Sequence, residues 1–171
     1  MALRNIVKEG DSVLTKKCRQ VTDFNPRLHQ LIDDMRETLL NADGVGLAAP
    51  QVGVLRRVVV VLDINKEAEK PEDQLIELVN PRIIETSGEQ YGAEGCLSVP
   101  GIYGMVARPE KVTVRAQDRY GEEFEVTGTG ITARCFCHEL DHLDGHLFKE
   151  FADRLLTAEE LEELEKEEAG Q

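Results

Sequence analysis

The stretch GITARCFCHELDHLDGHLF, residues 130–148, constrains this chain more than any other. Read as a helix, it sets His138 and His142 one turn apart on a single face, a spacing at which two imidazoles can grip one metal ion. Glu139, one residue on, lies about 100° round the helix axis, beside such an ion rather than on it. A divalent metal lowers the pKa of a bound water to about 7, and a carboxylate at hydrogen-bond distance can shuttle the proton. Two imidazoles do not complete a site, so a third ligand has to come from elsewhere in the chain.

One extended protease pattern, HExxHxxGxxH, begins correctly with Gly145 but puts Phe148 at its last position, with His146 two residues too early. Downstream, Glu150, Glu159 and Glu160 are available carboxylates. Upstream, cysteines at 18, 96, 135 and 137 follow no disulfide framework, and a reducing compartment would keep them as thiols able to bind metal. Cys135 shares the face of His138, whereas Cys137 points about 100° away. Three ligands on successive turns of one helix converge poorly on one ion, so Cys96, on a separate loop beside Gly95, ranks above Cys135. A small buried thiol is the alternative state for Cys96.

The rest of the sequence frames that helix. A length of 171 residues suits one domain with a proper core. Asn25-Pro26 caps an amphipathic helix carrying Leu28, Leu31, Ile32, Met35 and Leu39 and ending near Asp43-Gly44. Val58–Ile64 reads as a buried strand, and Leu75–Ile84 as another broken at Asn80-Pro81. Lys111–Asp118 and Glu122–Thr127 alternate as a hairpin about Tyr120-Gly121. Residues 3–22 look irregular. GVGLAAPQVG, residues 44–53, reads as a turn whose glycines permit close backbone approach or positive φ, and its Gln51, held by Pro50, could donate to a polarised carbonyl oxygen. No GK[ST] follows and the stretch does not join a strand to a helix, which makes a phosphate loop a poor alternative. Thr157 with Glu160 starts a short acidic helix edged by Leu161 and Leu164, so the expected organisation is one catalytic domain over 1–156 and a tail over 157–171.

Charge and hydropathy set the boundaries of function. A net charge of −13 argues against a nucleic-acid binder, although the tail from Thr157 alone holds seven Glu against one Lys. No apolar run nears the 18 or so residues of a membrane span, and MALRNIVKEGD has no signal-peptide core, so a cytoplasmic protein without membrane contact is expected.

GVGLAAPQ at 44–51, EGCLS at 94–98 and HELDH at 138–142, in that order, together resemble the three signature motifs of peptide deformylases, over the chain to about residue 156. The resemblance implies an α+β fold in which antiparallel β-sheets surround a central metal-bearing helix. It implies Cys96, His138 and His142 as metal ligands, Glu139 as general acid and base, and the Gln51 side chain with the Leu97 backbone N–H as the oxyanion pocket. The implied substrate is the N-formyl-methionyl end of a newly made chain, processed near the ribosome without direct nucleic-acid binding. An extended peptide would add along Val45, Gly46 and Gly95, its methionine side chain in an apolar pocket lined by Ile131 and Cys135. The family is similar in favouring Fe(II), with Zn(II) or Ni(II) able to substitute. Two departures stand out: Tyr103 lies about where some members carry a substrate-holding arginine, and Cys137 where many have glutamine. The head of Arg134, close to the expected pocket, should reach solvent or an acid. Two rival readings are a zincin-type endopeptidase using Glu150 or a tail glutamate, and a non-catalytic metal-stabilised protein closed by a fourth thiolate such as Cys135.

Overall fold

Four consecutive valines, Val58–Val61, show how the layers are arranged in the computed structural model, which describes residues 2–170. They form most of strand β2 (Val58–Leu62), after β1 (Gly46–Ala48), in a five-stranded antiparallel sheet. Successive strand side chains point to opposite faces. Val58 and Val60 pack with Leu28, Ile32, Met35 and Leu39 of helix α1 (Pro26–Ala42), while Val59 and Val61 pack with Ala133 and Phe136 of helix α2 (Ile131–Leu143). Both faces are covered, which is why the run is continuously apolar rather than alternating.

Helix α1 begins where its signals place it: the Asn25 side chain accepts from the Leu28 N–H, and Asp43 in the left-handed conformation (φ 57°) ends the helix. The five-stranded sheet continues through β3 (Leu75–Ser87), then, past β4 (Gln90–Cys96) and β5 (Val99–Arg108) of a separate sheet, through β6 (Lys111–Gln117) and β7 (Glu123–Thr129), in the order β1-β2-β3-β6-β7. The hairpin of β6 and β7 turns at Gly121, as expected, with φ 89°. A second antiparallel sheet has the order β4-β5-β8, where β8 spans Arg154–Thr157. Helix α2 is buried on nearly every side. Its apolar face meets Leu78, Val112 and Val114 of the large sheet, and its His138 ring stacks on Phe148 and bonds to Glu94 of β4. The α+β arrangement of antiparallel sheets around a central helix is thus the expected one.

Several local expectations change. Asn80-Pro81 does not break β3; Asn80 at φ 50° makes a bulge opposite β6, and its side chain bonds to both the N–H and the carbonyl of Val21. EGCLSVPG is not a loop. Cys96 ends β4, and Leu97-Ser98 is a two-residue connection to β5. Residues 44–53 are more than a turn, because Gly46–Ala48 pairs with β2 before a 3-10 turn over Ala49–Val52. The helix of residues 130–148 stops at Leu143, where Asp144 and Gly145 (φ 82°) redirect the chain into a second 3-10 turn, Phe148–Glu150. Helix α3 (Ala158–Ala169) has the capping box predicted for Thr157 and Glu160, and none of its residues is buried.

Candidate metal centre and catalytic cleft

Four elements deliver side chains to one flank of α2. Cys96 Sγ and ring nitrogens of His138 and His142 lie within 4.8 Å of one another, with Cys96 Sγ 3.4 Å from His142 Nε2. One helical turn sets the two rings edge to face, their centroids 5.0 Å apart. The tautomer of His138 follows from its partner. Its Nδ1 stands 2.9 Å from Glu94 Oε1, and an ionised carboxylate only accepts, so Nδ1 carries the hydrogen and Nε2 presents its lone pair.

Glu94 is itself held in a buried charge network. Arg108 donates Nε and Nη2 to its two oxygens at 2.7 and 2.9 Å, and Arg134 donates Nη1 at 2.7 Å. Arg108 also reaches Asp141 Oδ2 at 2.8 Å, while Arg134 donates to the carbonyls of Gly92 and Val106. Two guanidiniums thus face two carboxylates, and the charge is compensated where water is excluded. The head of Arg134 reaches an acid, one of the two outcomes expected for it. Glu94 and Arg108 were not anticipated; the one signal was a carboxylate opening the EGCLS motif, and its partners lie 14 and 40 residues away in sequence.

Both expected uses of the glycines of 44–53 occur: Gly53 takes positive φ (82°) to end the 3-10 turn, while Gly44 and Gly46 permit close approach. A Cβ at Gly46 would stand 2.5 Å from Glu139 Oε2, and one at Gly44 2.9 Å from the Leu97 side chain. Glu139 lies 3.9 Å from His138 Nε2 by its Oε2, and its Oε1 is buried without a partner among the described residues. Burial lifts the Glu139 carboxyl to about 7. Burial likewise holds His142 well below the ordinary imidazole range. At His138 burial pulls the same way, but the neighbouring Glu139, Cys96 and Glu94 outweigh it and raise the pKa. Such a pocket attracts positive charge. Two imidazoles and a thiol are the donors that zinc or ferrous iron accepts, so the residues present fit a bound divalent ion.

Gln51 is fixed from the other side. Its Oε1 accepts the Ala48 N–H at 2.9 Å, which directs Nε2 to Ser98 Oγ at 3.2 Å and Cys96 Sγ at 3.5 Å. A cleft of about 890 Å³ opens over this floor and is lined by Val45, Gly46, Gly95, Ile131 and Cys135, with Gln51, Leu97, Tyr103, His138 and Glu139. That volume is in the range of small-ligand sites. Cys135 sits in the wall, its thiol pKa raised chiefly by burial, and among the described residues the metal-capable group is Cys96, His138 and His142 without a fourth thiol. Glu150 bonds to His146 and to the Leu147 N–H instead, and Glu159 and Glu160 sit on the exposed first turn of α3.

A thiol, two imidazoles and a buried carboxylate on the floor of a ligand-sized cleft, within an α+β frame, define the class of metal-dependent hydrolases. Comparison with known proteins narrows the class. The family model described as Polypeptide deformylase matches residues 3–157. The chain is 51% identical to the Peptide deformylase of Caldicellulosiruptor bescii over 163 residues, 95% of this chain and 93% of that protein. It is 55% identical to the Peptide deformylase of Agathobacter rectalis over 88% of this chain and 90% of the relative. Its fold matches the crystal structure of a peptide deformylase from Legionella pneumophila with a TM-score of 0.81 at 41% identity, covering 99% of both chains. A class I type b peptide deformylase from Acinetobacter baumannii, solved with Met-Ala-Ser bound, matches with a TM-score of 0.79 at 37% identity over 88% of this chain and 98% of that one. The chain belongs to the peptide deformylase family. Its reaction is the metal-dependent hydrolysis of the N-formyl group from the formyl-methionine end of newly made polypeptides, with release of formate. No helix among the described residues is long and apolar enough to cross a membrane.

Proposed function

We propose that Cys96, His138 and His142 hold the metal and that Glu139, Gln51 and the Leu97 backbone N–H carry the chemistry around it. The observation that supports this most is the convergence of those three ligand atoms within 4.8 Å beside a buried Glu139. When bound, the ion supplies Lewis acidity that polarises the formyl oxygen and acidifies water. Glu139 takes the proton of the attacking water and returns it to the departing amine nitrogen, so one carboxylate balances the hydrolysis. The Gln51 Nε2–H and the Leu97 N–H donate to the formyl oxygen as negative charge develops on it. Glu94 fixes the His138 ring through Nδ1, which keeps Nε2 aimed at the ion.

The peptide lies along Val45, Gly46 and Gly95 with the methionine side chain toward Ile131 and Cys135, a reading supported by their position in one cleft and by the Met-Ala-Ser complex of the Acinetobacter baumannii relative. Residues 1–156 are the catalytic unit and 157–171 an accessory helix, and the enzyme works in the cytoplasm, in transient proximity to the ribosome. Deletion of 157–171 should leave the metal in place. The direct test is formate release from a short formyl-methionyl peptide, paired with elemental analysis of anaerobically purified protein. Release that needs no metal, or metal retained after Cys96→Ala, would overturn the reading.

Fe(II) is the physiological ion in this proposal, and Zn(II) or Ni(II) can take its place in a purified sample. Ferrous iron beside an accessible thiolate is open to oxidation, so the iron form should lose activity in air faster than the zinc form. Equal lifetimes would exclude that assignment.

Gln51→Ala should lower kcat by about 10²–10³-fold, the effect of removing one oxyanion donor. KM should change little, because the donor matters most when charge has built up. A raised KM with kcat intact would assign Gln51 to ground-state binding instead.

A further inference from the structure

Away from the catalytic cleft the charge pattern inverts. In a chain of −13, a separate cleft of about 440 Å³ is lined by Lys17, Arg57, Arg82 and Arg115 against Glu123 and Asp144 alone. An adjoining depression that shares Gln20 with it holds Arg19 and Arg56 against Asp23. Arg57 is paired with Asp144 at 3.0 Å, and Arg115 with Glu123 at 2.6 Å and Glu125 at 3.7 Å, while the Nε of Arg115 is buried without an acceptor among the described residues. Lys17, Arg19, Arg56 and Arg82 make no ion pair among the described residues.

The fold fixes the backbone that carries several of these cations. Cys18 N–H donates to the Leu143 carbonyl, Arg19 N–H to Leu55 and Arg57 N–H to Arg19, so the 17–19 segment is stitched to the entry of β2. Arg19 and Arg56 are direct partners in a parallel bridge, and like charges set side by side cost stability unless something neutralises them. With 33 acidic residues against 20 basic ones in the chain, six cations against the three acids of the two linings run counter to the composition. Overall charge argues against a nucleic-acid partner, but binding is decided by the local field.

We propose that this face binds the phosphate backbone of RNA. The first cleft has no large apolar side chain in its lining, so a protein partner would find no buried anchor there, whereas a phosphate backbone needs none. Neither lining contains an aromatic residue or histidine on which a base could stack, so contact is to backbone and carries no sequence preference. Five of the six cations are arginines, whose planar fork suits phosphate oxygens. They are spread over two depressions, which fits a chain of phosphates rather than one anion.

The test is fluorescence anisotropy of a labelled mixed-sequence single-stranded RNA, about 20 nucleotides long, titrated with the metal-loaded enzyme across a salt series. Four unpaired cations predict a slope of log affinity on log salt of about −3, at about 0.7 per phosphate contact. Lys17→Glu with Arg82→Glu should weaken binding at least ~10-fold and roughly halve the slope, while formate release from a short formyl-methionyl peptide stays unchanged and reports an intact fold. Absence of binding at low salt, or binding that survives the charge reversal, would overturn the proposal. So would displacement of the RNA by inorganic phosphate or polyglutamate at equal charge, which would make the face a general anion or acidic-protein site.

Discussion

Replacing Glu139 by alanine should leave the metal bound and lower turnover by at least ~10²-fold, as loss of a general acid and base does. The proposed ligand atoms come from Cys96, His138 and His142, which lie within 4.8 Å of one another, so removing Glu139 deletes the proposed proton carrier and spares the cradle. Glu139→Gln keeps the shape against Gly46, where the backbone comes so close that a Cβ would meet the carboxylate. The two variants should therefore lose similar activity although only alanine opens space. Metal content per chain, measured with kcat, separates the cases. Loss of metal in both would make Glu139 a positioning group for the ion, and unchanged turnover would remove it from the mechanism altogether.

What could be read from the sequence was what repeats at short range. The His138–His142 turn, the α1 periodicity with its Asn25 cap, and the β6–β7 hairpin each declare themselves within a few residues. Cys96 ranked first because one helix cannot wrap three ligands round an ion, a geometric argument that needed no fold. The strands on either side of Cys96 were hidden, since Gly92, Gly95, Gly101 and Gly104 interrupt any alternation. The structure shows what two of them allow: Gly95 lies against the Tyr103 ring and Gly104 against Ala152 and Phe148. Asn80-Pro81 looked like a break because its partners, Val21 and Gln117, are remote in sequence. The Glu94 network was illegible for the same reason. A buried carboxylate is understood only when its guanidiniums are known, and no local pattern reports them.

That network leads to the second large effect. Glu94→Gln leaves Arg108 and Arg134 buried against a neutral amide, and removing one partner of a buried charge group typically costs about 3–5 kcal/mol. It also leaves one neutral amide oxygen to accept from His138 Nδ1–H, Arg108 and Arg134 together, and disturbing such an outer partner typically weakens metal binding by about 10–100-fold. Stability and metal affinity should therefore fall together, unlike in the Glu139 variants. Acid separates this cause from mere loss of packing. Burial alone would raise the Glu94 pKa, but the hydrogen bonds from Arg108 and His138 outweigh it and hold the carboxyl at about 2, below the roughly 4.3 of an unfolded glutamate. A carboxyl depressed on folding stabilises fully above its unfolded pKa and loses that contribution as pH falls toward the folded one. Between about pH 5 and 2 the wild-type melting temperature should therefore drop more steeply than that of Glu94→Gln, with both compared in the same metal state. Parallel slopes would mean that Glu94 is not the ionised centre of this cluster, and its hold on His138 would have to be explained without charge.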